Sequence, residues 1–226
     1  MIEKLPPWVE IGGVALTMCA GAVNAVGLLG FSHQAVSHLT GSSTLLGLEL
    51  ARGDLASSAH LLLILASFVV GATMSGAIIR DATLKLGRRY GWALLLESLL
   101  LVLSMVALTR GSELGHYLAS AACGLQNALA STYSGAVIRT THVSGLFTDL
   151  GIMLGGRLRG LPFDRRRAWL YLLLIGGFVA GGSIGTLAWD RWSFAALLLP
   201  ATVTFAMSVA YWILRWLRLD RRLDAA

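Results

Sequence analysis

Charged residues are scarce in this sequence. Asp, Glu, Lys and Arg make up 13% of the 226 residues, whereas soluble domains carry about 25%. The apolar AVILMFWYC set makes up 56%. It forms tracts of about 20 residues, the length of helix that spans the roughly 30 Å hydrocarbon core of a bilayer. The composition therefore excludes a soluble protein and predicts an all-α integral membrane protein.

Cysteine is also rare. The two cysteines, Cys19 and Cys123, both lie within apolar tracts, where cysteine usually serves as a small packing residue. We therefore expect no disulfide, no metal site and no other cofactor. The two histidines of "HQAVSH" are five residues apart, a spacing that does not put them on one helical face, so a zinc site is not expected there.

Signatures of other protein classes are lacking as well. The chain contains no G-x-S-x-G, H-E-x-x-H, Walker or dinucleotide-binding motif, so no enzymatic activity is expected. The net charge of +6 does not indicate nucleic-acid binding, because the basic residues lie in short segments between apolar tracts. No small-residue cleavage site closes the first tract, so we do not expect a cleavable signal peptide.

Six apolar segments are long enough to cross a bilayer. Two further segments, 39–51 and 143–156, have about 14 residues and would reach only about 21 Å as helices, too short to cross. The sequence thus predicts six transmembrane helices and two short re-entrant or partial helices. The six long segments are about residues 8–30, 57–79, 90–109, 115–136, 168–189 and 193–214.

The distribution of Lys and Arg supports this topology. If the six long segments cross and the two short ones enter and leave on one side, fifteen of the 18 basic residues share the face that carries both termini. The other three are Arg52, Arg110 and Arg191. Because cytoplasmic loops are enriched in Lys and Arg, we expect both termini, including the basic tail 215–226, in the cytoplasm.

An internal repeat runs through the chain. The sequence "HLTGSSTLLG" (38–47) aligns without gaps on "HVSGLFTDLG" (142–151), and "FVVGATMS" (68–75) aligns on "FVAGGSIG" (178–185). Each copy contains three crossings, an odd number, so the second copy would lie inverted relative to the first.

The repeat defines the expected domain organisation. Residues 1–226 form one membrane domain with an inverted 3+3 repeat, in which repeat one covers 8–109 and repeat two covers 115–215.

The short helices carry the candidate binding residues. A helix that ends inside the membrane leaves N–H groups without intrahelical partners, and such backbone persists only where it is buried in protein or lines water. In inverted-repeat transporters the substrate site lies near the midplane between such helices. The predicted substrate-binding residues are Asn24, His38, Thr40, Gly41, Ser42, Thr44, Asn127, His142, Ser144, Gly145, Thr148 and Asp149.

The ionisable members of this set have structural alternatives. His38 and His142 either contact substrate or relay protons, or each caps its own turn. Asp149 is a functional candidate because an acid at membrane depth is costly. Its expected partner is His142 or Arg139, and the alternative is a structural salt bridge.

Other polar and small residues inside the apolar tracts are also ambiguous. Asn24 and Asn127 fit hydrogen bonds between helices as well as solute contact. Glu97 interrupts "LLLESLLLV" and is a candidate for proton coupling, or else a residue that reaches the cytoplasmic interface. The small-xxx-small positions, which predict close helix packing within the chain or in a homodimer, are Gly71, Ser75, Gly181 and Gly185.

The sequence resembles a known family at its repeated motifs. The residues that carry the resemblance are "GAVNAVGLLG…VSHLTGSSTLLGLELARGD" and "QNALAS…RTTHVSGLFTDLG". They resemble the YoaK family, bacterial multi-pass membrane proteins with a domain of unknown function. The first motif of that family reads closer to SHxTGNT, and here Ser42 and Ser43 replace its polar pair, so an amide contact is lost. The resemblance implies an inner-membrane protein and no established activity.

The function predicted from these features is that of a small-solute transporter or channel. A small polar solute or ion would pass between two inverted halves and meet the tips of the short helices. Facing helix N-termini favour an anion or a neutral polar solute, whereas Asp149 and Glu97 favour protons or a cation. The alternatives are a non-transporting membrane scaffold, sensor or assembly factor, and an intramembrane enzyme that uses His142 and Asp149.

Overall fold

Helices make up nearly all of the structure. The computed structural model describes residues 5–30, 38–79 and 88–223, and no strand occurs within these ranges, so the predicted all-α class is confirmed. Ser193–Leu197 forms a 3₁₀ turn between the last two helices. The helices are α1 (Pro7–Gly30), α2 (Leu39–Arg52), α3 (Leu55–Ile78), α4 (Arg88–Thr109), α5 (Leu114–Ser134), α6 (Val143–Leu158), α7 (Arg165–Trp192) and α8 (Leu198–Leu223).

Capping residues set several helix boundaries. The Asp54 carboxylate accepts from the backbone N–H of Ser57 at 3.0 Å before α3, and Asp164 accepts from that of Arg167 at 2.9 Å before α7. These bonds satisfy N–H groups that the first helical turn leaves without partners. Gly53 ends α2 in the left-handed conformation with φ of 76°, which a residue without a Cβ adopts at little cost.

Several helices are suited to a membrane. Among the described residues, four stretches are long and apolar enough to cross one, namely Pro7–Gly30, Leu55–Ile78, Arg89–Thr109 and Arg165–Leu214. The last stretch contains α7, the 3₁₀ turn and α8. These helices are compatible with a multi-pass membrane protein. The more polar α5 is not one of the four, and the count of six crossings remains a prediction.

Each half of the chain packs mainly on the other half. Helix α1 lies along α7, and α3 lies along α5. Helix α4 contacts both α5 and α8, and α1 also contacts α8. The two halves are therefore interlocked, and α1, α4, α5 and α8 surround the centre of the bundle.

Close helix contacts recur at aligned positions of the two halves. A Cβ on Gly21 would overlap the backbone carbonyl oxygen of Phe178, and a Cβ on Gly124 would overlap that of Phe68. Gly21 and Gly124 each stand three residues before an asparagine, Asn24 or Asn127, and Phe68 aligns on Phe178 in the repeat. The contact between α1 and α7 is therefore repeated between α5 and α3.

The small-residue positions are occupied by contacts within the chain. A Cβ on Gly71 would overlap the carbonyl oxygen of Ala121, and a Cβ on Gly181 would overlap that of Met18. A Cβ on Gly185 would lie 2.7 Å from the Cα of Ala22, which is also too close for an unshifted backbone. The homodimer remains a prediction, and it would need a surface other than these glycines.

Helices α4 and α8 exchange reciprocal hydrogen bonds. The Ser98 hydroxyl donates to the carbonyl of Ala201 at 2.8 Å, and the Ser208 hydroxyl donates to the carbonyl of Gly91 at 2.7 Å. A two-fold rotation that relates two helices produces reciprocal contacts of this kind.

Candidate functional site

The two short helices occupy separate positions. Helix α2 packs on α3 and α6 packs on α7, and no extended packing of α2 on α6 is found within the described ranges. His38 and His142, which precede the two helices, are both exposed. The structure therefore contains no packed interface between the short helices at which both histidines would meet.

Each histidine instead lies over its own helix start. The His38 ring lies 3.0 Å, at Nδ1, from where a Cβ on Gly41 would be, and the His142 ring would be overlapped by a Cβ on Gly145. Neither histidine makes a side-chain capping hydrogen bond. The repeated His and Gly thus form the same local arrangement twice, because only a residue without a side chain leaves room for the ring.

The repeated hydroxyl residues also bond within their own helices. Thr44 donates to the carbonyl of Thr40, and Thr148 donates to the carbonyl of Ser144, both at 3.0 Å. These four residues are exposed, whereas Ser42 is buried. The motif therefore explains a local fold, and solute contact by these residues remains a prediction.

A polar cavity of about 620 Å³ lies beside α6 and is lined by His142, Gly145 and Asp149 of the predicted set. Arg167 Nε donates to the Tyr171 hydroxyl at 2.8 Å, and that hydroxyl is in turn hydrogen-bonded to Asp149. The partner of Asp149 is thus on α7, whereas the sequence pointed to His142 or Arg139, which also line the cavity.

Asp149 stands one turn after Leu146, which is buried on the face that α6 turns toward the bundle, and its carboxylate reaches Tyr171 on α7. His142 precedes the helix and is exposed. Arg167 and Tyr171 stand four residues apart on one face of α7. That spacing was the only sequence signal for them, and it is common in structural helices.

The asparagine pair lies deeper in the bundle. Asn24 and Asn127 are both half-buried in α1 and α5. The Asn127 Oδ1 atom has no hydrogen-bond partner within the described part of the chain. The side-chain oxygen of Asn127 can therefore still accept a hydrogen bond in the core. Asn24 shows no buried acceptor of this kind.

Glu97 is the most deeply buried acid in the described structure. Its exposed fraction is 1%, and its Oε1 accepts from Gln126 Nε2 at 2.7 Å. Glu97 Oε2 and Gln126 Oε1 have no hydrogen-bond partner among the described residues. Cys19 and Cys123, one in each half of the chain, both lie within electrostatic range of this carboxyl group.

A cavity lined by aromatic rings lies next to Glu97. It has a volume of about 130 Å³ and is formed by α1, α4, α5 and α8. Four aromatic side chains line it, namely Trp8, Tyr90, Tyr133 and Tyr211. We refer to it as the aromatic cavity.

The aromatic cavity leads toward the Glu97 pair. Its lining residue Leu94 is three positions before Glu97 on α4, and its lining residues Leu129 and Ala130 follow Gln126 on α5. One helical turn rises about 5.4 Å, so the carboxyl group lies about one turn deeper than the cavity wall. The polar pair therefore lies about one helical turn beyond the cavity, on the faces of α4 and α5 that also carry Leu94 and Leu129.

Comparison with known proteins identifies the family. The sequence profile of a protein of unknown function, DUF1275, matches residues 12–210. The chain belongs to the DUF1275 family. No curated protein and no solved structure matches it. The expected resemblance is confirmed, and since DUF1275 carries no assigned activity, function has to be argued from the residues.

The DUF1275 chain also contains a polar cluster that sequence reasoning missed. His60 Nδ1 lies 2.8 Å from the Tyr117 hydroxyl and 3.4 Å from Glu113 Oε2, and His60 Nε2 lies 3.1 Å from His116 Nδ1. The cluster joins the starts of α3 and α5. No group of three or more His, Cys, Asp or Glu side chains suited to a metal ion is found in the described ranges. These residues meet only because α3 packs on α5, so no motif within a short stretch of sequence could predict the cluster.

Proposed function

We propose that this DUF1275 protein is a small-solute transporter of the bacterial inner membrane. The solute path would run between α1, α4, α5 and α8, with Glu97 as the residue that binds the solute or carries a coupled proton. The observation that carries the proposal is the burial of Glu97 in an apolar helix. An ionisable side chain inside a membrane segment is costly and marks substrate or proton pathways by default.

The surroundings of Glu97 favour function over a purely structural role. A buried carboxylate that serves structure is expected to have both oxygens satisfied. Glu97 has a hydrogen bond to Oε1 alone within the described chain. By contrast, Glu10 forms an ion pair with Arg166 at 2.9 Å near the start of α1. The free acceptor of Glu97 is thus available to a solute, a water molecule or a proton.

We further propose that the two halves are inverted repeats of three crossings each. The exchanged glycine contacts and the reciprocal serine bonds between α4 and α8 support this relation. In inverted-repeat transporters the binding site lies near the midplane at the interface of the repeats. Glu97 lies at this interface, whereas the short helices lie apart on α3 and α7. The proposed path therefore runs through the centre and not between the tips of α2 and α6.

Liposome flux measurements test the proposal. Purified protein in sealed liposomes is given gradients of small amines, anions and neutral metabolites, and uptake is followed. We expect at least one class to be taken up by the native protein and Glu97→Gln to reduce that uptake to the level of empty liposomes. Glu10→Gln is the matched control and should retain uptake. Full uptake by Glu97→Gln, or no uptake of any class by the native protein, would contradict the proposal and favour a scaffold.

A further inference from the structure

We infer that the aromatic cavity is a binding site for a small organic ammonium ion. This inference rests on the proposed function only in taking Glu97 as the charged group of the path. The site itself is argued from the side chains that line the cavity and from the charges near it.

The walls of the cavity are suited to a cation. The ring centroids of Tyr90 and Tyr133 are 4.5 Å apart with an interplanar angle of 72°, and those of Trp8 and Tyr133 are 5.6 Å apart at 57°. Tyr211 completes the wall at 6.2 Å from Tyr90. These tilted and edge-to-face contacts hold the rings against one another in the wall of the cavity. Aromatic faces attract ammonium groups, and cages of aromatic rings are the usual receptors for quaternary amines.

The charges near the cavity select the sign of the ligand. No Lys or Arg is among the described residues that line it. Arg89 precedes the lining residue Tyr90 but is exposed. The buried acidic side chain nearest the cavity along α4 is therefore Glu97, one turn beyond the lining residue Leu94. A buried acid behind an uncharged aromatic wall favours a cation, which stabilises the ionised form of the acid, and disfavours an anion.

The surface that faces the aromatic cavity is almost entirely apolar, so it offers few hydrogen bonds to a neutral polar solute. Its one serine, Ser134, already accepts from the N–H of Ile138 at 2.8 Å and donates to the carbonyl of Ala130 at 2.7 Å. A sugar or an amide brings several hydrogen-bonding groups that would stay unsatisfied in such a site. An alkylammonium ion needs few or none, because its charge is spread over apolar surface.

The size of the cavity limits the ligand to a few heavy atoms. A dry cavity of about 150 Å³ holds benzene, and the aromatic cavity has a volume of about 130 Å³. Tetramethylammonium and choline are of this size. Choline and its uncharged analogue 3,3-dimethylbutan-1-ol have the same shape, so a comparison of the two isolates the effect of charge.

Calorimetric titration of the full chain in detergent tests the site. We expect choline to bind with a dissociation constant about tenfold or more below that of 3,3-dimethylbutan-1-ol. Equal binding of both compounds would show a merely apolar pocket and overturn the inference. So would the absence of choline binding to folded protein.

Variants locate the binding. Tyr133→Leu and Trp8→Leu should each weaken choline binding by about tenfold, while Tyr133→Phe, which keeps the ring, should retain it. Tyr117→Leu is the control, since Tyr117 lies at the opposite end of α5. Size-exclusion chromatography and circular dichroism check the folding of each variant. Binding that survives both Leu substitutions in folded protein places choline elsewhere and overturns the assignment.

The inference and the proposed function fail in different ways. Binding in detergent needs no second compartment. Choline binding without flux of any solute would therefore contradict the proposed transport function and support the binding site. Uptake of an anion or a sugar without choline binding would contradict the ammonium site and support the proposed transport function.

Discussion

The hydrogen bond between Glu97 and Gln126 is the polar contact on which the centre of the molecule depends. Both side chains are almost fully buried, with exposed fractions of 1% and 2%. A buried acceptor that loses its donor costs about 1–3 kcal/mol, whereas replacing both partners by apolar groups is close to neutral. The energetic role of the pair is therefore separable from its role in transport.

We predict that Gln126→Leu lowers the free energy of unfolding by about 1–3 kcal/mol, because it leaves Glu97 without its donor. The double variant Glu97→Leu/Gln126→Leu should recover most of that loss. Denaturation in detergent micelles measures both. A Gln126→Leu protein as stable as the native one would contradict the prediction, and so would a double variant less stable than Gln126→Leu alone.

Asp54 gives the fold a dependence on pH. Its carboxylate accepts from the backbone N–H of Ser57 at 3.0 Å and from the Ser57 hydroxyl at 2.7 Å, and these bonds lower the pKa of Asp54. Because the pKa is lower in the folded state, the stabilisation is present above the unfolded-state pKa of about 4 and is lost as pH falls through the folded-state value.

We expect the melting temperature of the native protein to fall more steeply below about pH 4 than that of Asp54→Asn. Ser57→Ala should remove only part of the difference, because the backbone N–H remains. Thermal melts from neutral to acidic pH check this. Identical pH profiles for native protein and Asp54→Asn would contradict it.

Single residues could be predicted from the sequence only where their surroundings along the chain made them unusual. Glu97 was recognisable because a carboxylate interrupts an apolar tract. Its partner Gln126 was not, because the contact depends on the rotation of α4 and α5 about their axes. Tyr171 and Arg167 escaped notice for the same reason.

At the scale of helices, close approach is controlled by a few glycines. Gly71 and Gly181 stand where any Cβ would overlap a backbone carbonyl oxygen of the facing helix. Backbone cannot move aside as a flexible side chain can, so the two helices would have to separate. Gly76 and Gly176 lie in the same two helices, and nothing lies within 4 Å of a Cβ placed there.

We predict that Gly71→Ala and Gly181→Ala each lower the free energy of unfolding by about 1–3 kcal/mol through overpacking. Gly76→Ala and Gly176→Ala should be neutral or stabilising by up to about 1 kcal/mol, since Ala favours helix over Gly. Chemical denaturation of the four variants makes the comparison. Equal effects at all four positions would show that helix propensity and not close packing decides them.

Helix positions could be read from the sequence more fully than helix contacts. The predicted short segments 39–51 and 143–156 correspond to Leu39–Arg52 and Val143–Leu158. The predicted span 193–214 ends at Leu214, where the apolar stretch Arg165–Leu214 also ends, while α8 continues to Leu223. Apolar tracts report the part of a helix that suits hydrocarbon. A helix that continues into charged residues extends beyond what such a tract shows.

At the scale of the whole molecule, the proposed topology places the two short-helix hairpins on opposite faces of the membrane. Leu55 and Leu161 lie just after the two short helices and are exposed by 75% and 47%. Both native cysteines are buried, and their replacement leaves the background needed for labelling single introduced cysteines.

In a Cys19→Ala/Cys123→Ala background, we predict that Leu55→Cys reacts with an impermeant maleimide added to intact spheroplasts. Leu161→Cys should react only after permeabilisation, because its flanking loop is rich in arginine. Labelling of both positions from the same side would contradict the inverted topology.

The sequence predicts the repeat, but it does not predict how the two copies pair. Aligned motifs such as 68–75 and 178–185 show that two halves are alike. They do not show whether α1 packs within its own half or on α7. Both arrangements would bury similar apolar surface, and the choice depends on which small residues face each other across helices far apart in the chain.

The exchange of helices between the halves has a consequence for biosynthesis. Helices α5 and α7 are translated after α1 and α3, so the first two emerge from the ribosome before either has its neighbour. Until then, the grooves at Gly21 and Gly71 face lipid or the insertion machinery. A nascent chain stopped after α4 would contain neither the α1–α7 pair nor the α3–α5 pair. Two half-length genes expressed together would therefore yield folded product only as a complex of both halves.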